Sequence, residues 1–263
     1  MNSTFLLPVY NEMRKGLLLI WDYKFSMLMQ IVTFGMIFLG ISFMMGNGKL
    51  VPALIAPALV GYMIWFLATL AINDMSWNLQ GEAQTGTLEQ MFMGAASMSV
   101  IVLGRVLIRL AFSIVTVGTM SVIMVIMLDV PVTFPPSATV PLVITLAGLL
   151  GFGYLVAGAT LVFKQIGTLA SILTNMMLFL NGSLLPVDRM PDGMARFARL
   201  LPTTEGIIVM RQVMIDGLSL AQTWETGSLG ALINHSLVFV ALGLLGFRYC
   251  ENLARRRGTL GQY

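Results

Sequence analysis

An all-α membrane protein with six spans is the fold class this sequence predicts, and three observations predict it. Of 263 residues, 57% are hydrophobic and 10% charged, and the mean hydropathy is +0.86. Soluble domains carry about 25% charged residues, so a chain this poor in charge cannot cover a water-facing surface and must have lipid as most of its solvent. Six apolar runs reach the roughly 20 residues that a helix needs to cross a hydrocarbon core about 30 Å thick. The polar stretches between them carry their lysines and arginines unevenly, as loops on opposite sides of a membrane do.

Residues 8–24 precede the first long apolar run. Val9, Met13, Leu17 and Ile20 fall at helical spacing against Asn11, Glu12, Arg14, Lys15 and Asp22. This pattern predicts an amphipathic helix in the membrane interface, with Trp21 and Tyr23 at headgroup level. The N-terminus has no basic region followed by a small-residue cleavage site, so no cleavable leader is expected. The spans then follow at about 25–45, 51–73, 100–128, 140–163, 166–185 and 229–249. The turn Gly46-Asn47-Gly48-Lys49 separates the first two, and a Pro-rich stretch from Asp129 to Ser137 ends the third. No internal repeat or low-complexity linker divides the chain, so residues 1–263 are expected to form one membrane domain.

An even number of spans puts both termini on one side. Placing them in the cytoplasm gives ten Lys and Arg inside (Arg14, Lys15, Lys24, Arg105, Arg109, Lys164, Arg248 and Arg255 to Arg257) against five outside (Lys49, Arg189, Arg196, Arg199 and Arg211). The excess of basic residues marks the cytoplasmic side. Residues 74–99 then form an inner loop and residues 186–227 an outer one. The outer loop holds two apolar-rich pieces, around Met194 to Leu201 and Gly206 to Ile215, too short to cross a bilayer. They are expected to form a re-entrant helical hairpin before the last span.

The net charge of +3 is too small and too scattered for nucleic acid, and the Arg255-Arg256-Arg257 tail reads as an anchor on anionic lipid. Cys250 and His235 are the only residues of their kinds, which leaves no disulfide and no ligand set for zinc. There is no phosphate loop, no Ser/His/Asp set and no paired carboxylates on one span, so no enzyme activity and no cofactor are expected on this chain. Charged residues sit almost entirely at predicted span ends. An ion-coupled carrier usually keeps costly charges in mid-span, so their absence speaks against that alternative.

The polar run Gly81-Glu82-Ala83-Gln84-Thr85-Gly86-Thr87-Leu88-Glu89 lies in the inner loop. Residues 82–92 are expected to form a short helix interrupted at Gly86, nearly parallel to the membrane. With Val102-Leu103-Gly104-Arg105 after it, this run resembles the cytoplasmic loop of permeases of the type-2 ABC exporter family, in which a Gly-Thr-Leu-Glu core and a Gly-Lys/Arg recur together. The stretch from Pro202 through Arg211 to Gly217 is similar to that family's outer Pro, Arg, Gly pattern. One departure is Gly94-Ala95-Ala96 where the family often has proline.

The resemblance implies a transmembrane subunit of an ATP-driven exporter in a bacterial-type inner membrane. It implies a second permease copy, most simply a homodimer, and two copies of an ATPase subunit that carry the ATP and Mg. Glu82, Thr85, Gly86, Thr87, Leu88 and Glu89 would then form the coupling helix that sits in the ATPase. The substrate would pass along faces of the second and fifth spans. Tyr62, Trp65, Phe66 and Thr69 share one face of the second, and Thr174, Asn175 and Phe179 mark the fifth. These residues have two readings, as pathway lining and as helix-to-helix glue. Met176, Met177 and Phe179 are soft apolar neighbours that suit a hydrophobic or amphipathic cargo: a drug, a lipid or a lipid-linked compound. A polysaccharide or lipid-linked glycan is the alternative cargo.

Overall fold

The computed structural model describes residues 24–85, 98–163 and 166–257. The expected interfacial helix at 8–24 therefore falls almost wholly outside the described residues. Among the described residues the structure is helical, without strands. Nine α-helices are numbered here in chain order: α1 Lys24–Met45, α2 Pro52–Thr85, α3 Met98–Leu128, α4 Thr139–Val162, α5 Ile166–Leu180, α6 Asp192–Ala198, α7 Thr204–Met214, α8 Leu220–Glu225 and α9 Ser228–Arg257. Single 3₁₀ turns, Pro136–Ala138 and Val187–Arg189, lead into α4 and lie before α6.

Among the described residues five helices are long and apolar enough to cross a membrane: α1, the Pro52–Asn73 part of α2, α3, α4 with its leading turn, and α9. They correspond to the first, second, third, fourth and sixth expected spans. The fifth differs. Residues 166–185 are apolar almost throughout, yet α5 stops at Leu180 after 15 residues, a rise of about 22 Å. The side chain of Asn181 ends it by accepting the Ser183 backbone N–H at 2.9 Å, and Gly182 follows at a φ of 86°. An Asn side chain that mimics a turn, followed by a glycine in the left-handed region, is a local stop that apolar flanks do not override.

α2 is the central helix. Of its membrane-length stretch 89% is buried within the subunit, against 22% for α1 and for α9. It packs on α3, α4 and α5 as well as α1 and α7. Its apolar residues Ile55, Leu59, Tyr62, Phe66 and Ile72 are buried and join Phe38, Met120, Leu149 and Val213 in the main core. The partly independent second seam is between α4 and α9, where a smaller cluster gathers Val102, Val106, Tyr154, Ala157, Leu161 and Phe247.

The α4–α9 seam is made of backbone. A Cβ on Gly243 would strike the Gly151 carbonyl oxygen, and one on Gly151 would strike the Phe239 carbonyl oxygen. Gly148 stands the same way against Ser236, and Gly158 against Phe247, whose Cα would lie 2.8 Å from an added Cβ. In lipid, apolar side chains gain little by leaving one apolar surface for another, so close approach of backbones through small residues is what binds helices.

Between α5 and α9 the chain forms three short helices. α6 and α7 occupy the two apolar-rich pieces of the long loop, with α7 packed on α2, α4 and α9. The sequence reading has no counterpart to α8, which carries a capping box: Gln222 N–H donates to Ser219 Oγ at 3.3 Å and Ser219 N–H donates to Gln222 Oε1 at 2.8 Å.

Candidate coupling end and substrate route

Of the residues singled out by the sequence, those described lie on two helices: Glu82 and Thr85 of the coupling group at the end of α2, and the route residues on α2 and α5.

Glu82 and Thr85 lie in the last turn of α2, which continues without a break from the membrane-length stretch through Thr85. The polar stretch from Asn73 onward is thus a continuation of the second span and not, as far as Thr85, the start of a separate helix. Gln80, Glu82, Ala83 and Gln84 are good helix formers, and polarity ends a lipid-facing surface without ending a helix. Gly86, Thr87, Leu88 and Glu89 lie outside the described residues. At 34 residues, α2 is about 51 Å long, well beyond the hydrocarbon thickness, so its C-terminal turns project past the bundle's apolar region.

The aromatic face of α2 turns inward. Tyr62 is fully buried, Trp65 and Phe66 nearly or fully so, and Thr69 is buried beside them. The Tyr62 hydroxyl donates to the Phe34 carbonyl at 2.8 Å. Phe66 stacks on Phe34 with ring centroids 4.0 Å apart, and Tyr62 leans on Phe38 at 5.0 Å. The Trp65 indole N–H donates to the Thr174 carbonyl at 2.6 Å. Thr69 and Thr174 return their hydroxyls to carbonyls one turn back in their own helices, Trp65 and Ala170. A phenol or indole donor buried away from water needs an acceptor, and here each finds a main-chain carbonyl on a neighbouring helix. Within the subunit these five residues join α1, α2 and α5.

Asn175 and Phe179 do the opposite. They point away from the subunit, together with Ile172 and Met176, and Phe179 is 62% exposed. Asn175 has no hydrogen-bond partner among the described residues. The fifth-span residues are therefore divided between the two helix faces, with Thr174 inward and Asn175 and Phe179 outward.

A third cluster lies where α2 begins and α5 ends. Arg211, on α7, donates through Nε to the Pro57 carbonyl at 2.8 Å and through Nη2 to the Ser183 carbonyl at 2.7 Å. Ser183 Oγ donates to the Gly61 carbonyl at 3.0 Å, and Asn181 Nδ2 donates to Thr203 Oγ1 at 2.9 Å. Gly61 makes this approach possible: a Cβ there would lie 2.5 Å from the Ser183 carbonyl oxygen and 2.8 Å from Arg211 Nη2. No carboxylate among the described residues pairs with Arg211. Burial pulls its guanidinium down to about 10, which leaves it cationic at neutral pH. Arg211 stood in the sequence as part of an outer-loop pattern, but its reach to α2 has no sequence signal beyond a lone arginine within Ile207 to Ile215.

Nearby, Arg199 faces the buried Glu205 at 3.7 Å. Burial pushes the Glu205 carboxyl above the usual range and Arg199 pulls it back in part. His235, in α9, packs its ring edge-on against Phe239, 4.9 Å between centroids. The described residues contain no cluster of three or more His, Cys, Asp or Glu that could hold a metal.

The family model described as "ABC-2 type transporter", a membrane-domain model, matches residues 12–215. The chain belongs to the ABC-2 type transporter family. It is therefore the permease, or membrane subunit, of an ABC transporter, a multi-pass membrane protein whose family implies association with an ATPase subunit. The match runs from before α1 to the residue after α7, so it includes the whole of α2, the residues after it up to α3, and the Arg211 cluster. No curated protein matches the permease closely enough to name its cargo.

Proposed function

We propose that this permease works as a homodimer with two ATPase subunits in the inner membrane, exporting a hydrophobic or amphipathic compound along a route between the two copies. The ATPases carry the ATP and Mg, and both termini lie in the cytoplasm with the ATPases. The short α5 and residues 181–185 together make the fifth of six crossings, and α6 and α7 form the re-entrant hairpin on the outer side.

The observation that carries this reading is the outward face of α5. Its polar residues are Thr168 and Asn175, and the Asn175 side chain has no hydrogen-bond partner among the described residues. A polar group facing hydrocarbon is costly, and Asn in a span ordinarily bonds to another helix. A second copy meeting this face supplies that partner. Ile172, Met176 and Phe179 around it give a flexible apolar surface that re-packs around varied cargo. The five inward residues, Tyr62, Trp65, Phe66, Thr69 and Thr174, then position this face from behind and do not line it.

Cross-linking tests the pairing directly. Cys250 is the sole cysteine, so in a Cys250→Ser background Asn175→Cys is the only site for a disulfide. Oxidation in membranes should give a covalent dimer, and an absence of dimer there, with Ile172→Cys equally negative, rules this face out. For the coupling end, Glu82→Ala should leave assembly with the ATPase intact and remove its stimulation by the permease in reconstituted complexes. Normal stimulation would mean the input enters elsewhere.

A further inference from the structure

We propose that Arg211 is the joint through which movement of α2 reaches the α6–α7 segment at the opposite end of the molecule. The inference rests on the reading that residues 82–89 receive the ATPase's movement, and it names the residue that delivers it at the far side.

Three features of the cluster carry it. First, α2 is one helix from Pro52 to Thr85 whose interior proline is Pro57, so no proline interrupts it between the turn that Arg211 holds and its C-terminal turn. Second, Arg211 grips that start. Pro57 and Gly61 lie one turn apart near the beginning of α2, and the guanidinium donates to the Pro57 carbonyl while its Nη2 lies against Gly61. Third, the same guanidinium holds Ser183 in the residues after α5, and Ser183 in turn donates to Gly61. One planar group therefore ties α7, the post-α5 residues and the first turns of α2 to one another, with no carboxylate to compete for it.

Arginine suits this place because its fork is planar and fixes two acceptors at once, and because it stays charged when buried. Hydrogen bonds from a charged donor to carbonyls are stronger than neutral ones. A lysine keeps the charge but offers a point donor on a flexible stem, so it reaches one carbonyl at a time. Apolar packing between α7 and α2 would allow sliding in lipid, whereas a two-carbonyl grip does not.

Hydrogen exchange of the permease–ATPase complex in lipid nanodiscs tests the proposal without any cargo. Exchange at residues 181–185 and 204–214 is compared between the nucleotide-free complex and the complex trapped with ATP and vanadate. In the wild type, trapping should change exchange there at least threefold. In Arg211→Lys and Arg211→Met that change should vanish, while ATP hydrolysis stays within twofold of wild type. Gly61→Ala, which pushes a Cβ against both Ser183 and the guanidinium, should act in the same way with the charge untouched. The proposal is overturned if the wild type shows no change on trapping, or if the Arg211 variants keep it. It is also overturned if hydrolysis falls with it, which makes Arg211 a residue of assembly. Should Arg211→Met not assemble, Arg211→Lys decides. Glu82→Ala run in parallel separates the two ideas: if it keeps the exchange change, the coupling reading fails while the Arg211 variants still report on transmission.

Discussion

Two parts of the permease meet the same apolar solvent in opposite ways. The α4–α9 seam brings the two helices close at Gly148, Gly151, Gly158 and Gly243, where an added Cβ would strike the facing helix, while Tyr154 and Phe247 pack across it. α5 is held from one side only, by Trp65 and the inward Thr174, and leaves Asn175, Met176 and Phe179 facing out. Both helices are apolar, so hydrophobicity cannot be what distinguishes them. The difference lies in which small or polar residues are placed at the contact, since these are what give helices a reason to associate in lipid. The seam closes within one chain, whereas on α5 the Asn175 side chain has no hydrogen-bond partner among the described residues.

The largest effect should come from breaking the finished side. Gly243→Leu drives a side chain into the Gly151 backbone and should cost about 3 kcal/mol or more, read as loss of monodisperse permease or a lowered Tm in detergent. The control is Gly118→Leu in α3, where an added Cβ meets nothing within 4 Å; it should stay near wild type. If both substitutions cost the same, backbone contact is not what holds the seam.

Trp65→Phe removes the indole donor to Thr174, leaving the Ser171 Oγ to Asn73 Oδ1 hydrogen bond at 3.3 Å between α2 and α5, and leaves the ring's place nearly filled. The expected loss is about 1 kcal/mol, the size of one net hydrogen bond, together with weaker cross-linking from Asn175→Cys because α5 is less firmly fixed from behind. An unchanged cross-link yield would separate the two faces of α5.

Asn175→Leu should barely alter the subunit's own Tm, within about 0.5 kcal/mol as for other exposed sites. It should shift the purified permease from dimer to monomer by light scattering. A lowered subunit Tm with the dimer retained would invert the comparison.

The smallest effect is electrostatic. A carboxyl whose pKa is raised by folding, as that of Glu205 is, binds its proton more tightly folded than unfolded. Its contribution is fully present below the ordinary value near 4.3 and is lost as pH rises through the raised folded value. Wild-type Tm should fall relative to Glu205→Gln across that window, and Arg199→Ala should move the window to higher pH.

Much of this architecture was legible in the sequence. The apolar runs located five membrane-length helices, though α2 and α9 run on past the expected ends at 73 and 249 to Thr85 and Arg257, and the two short pieces of the long loop became α6 and α7. The spacing of Tyr62, Trp65, Phe66 and Thr69 correctly put them on one face. Periodicity does not say which neighbour a face meets, so it could not tell that these residues pack on Phe34, Phe38 and α5. The early end of α5 depended on two residues, Asn181 and Gly182, embedded in apolar sequence. The extension of α2 to Thr85 was obscured because a change from apolar to polar was read as a change from helix to loop. Only the Ser219-x-x-Gln222 box of α8 was a plain local signal left unread.

The shortness of α5 has a consequence for the lipid around it. A helix rising about 22 Å stands in hydrocarbon about 30 Å thick. Acyl chains beside it must shorten, or be displaced, to match it. Mismatch of this kind draws the two leaflets toward each other along one flank of the protein, beside Phe179 and Asn175.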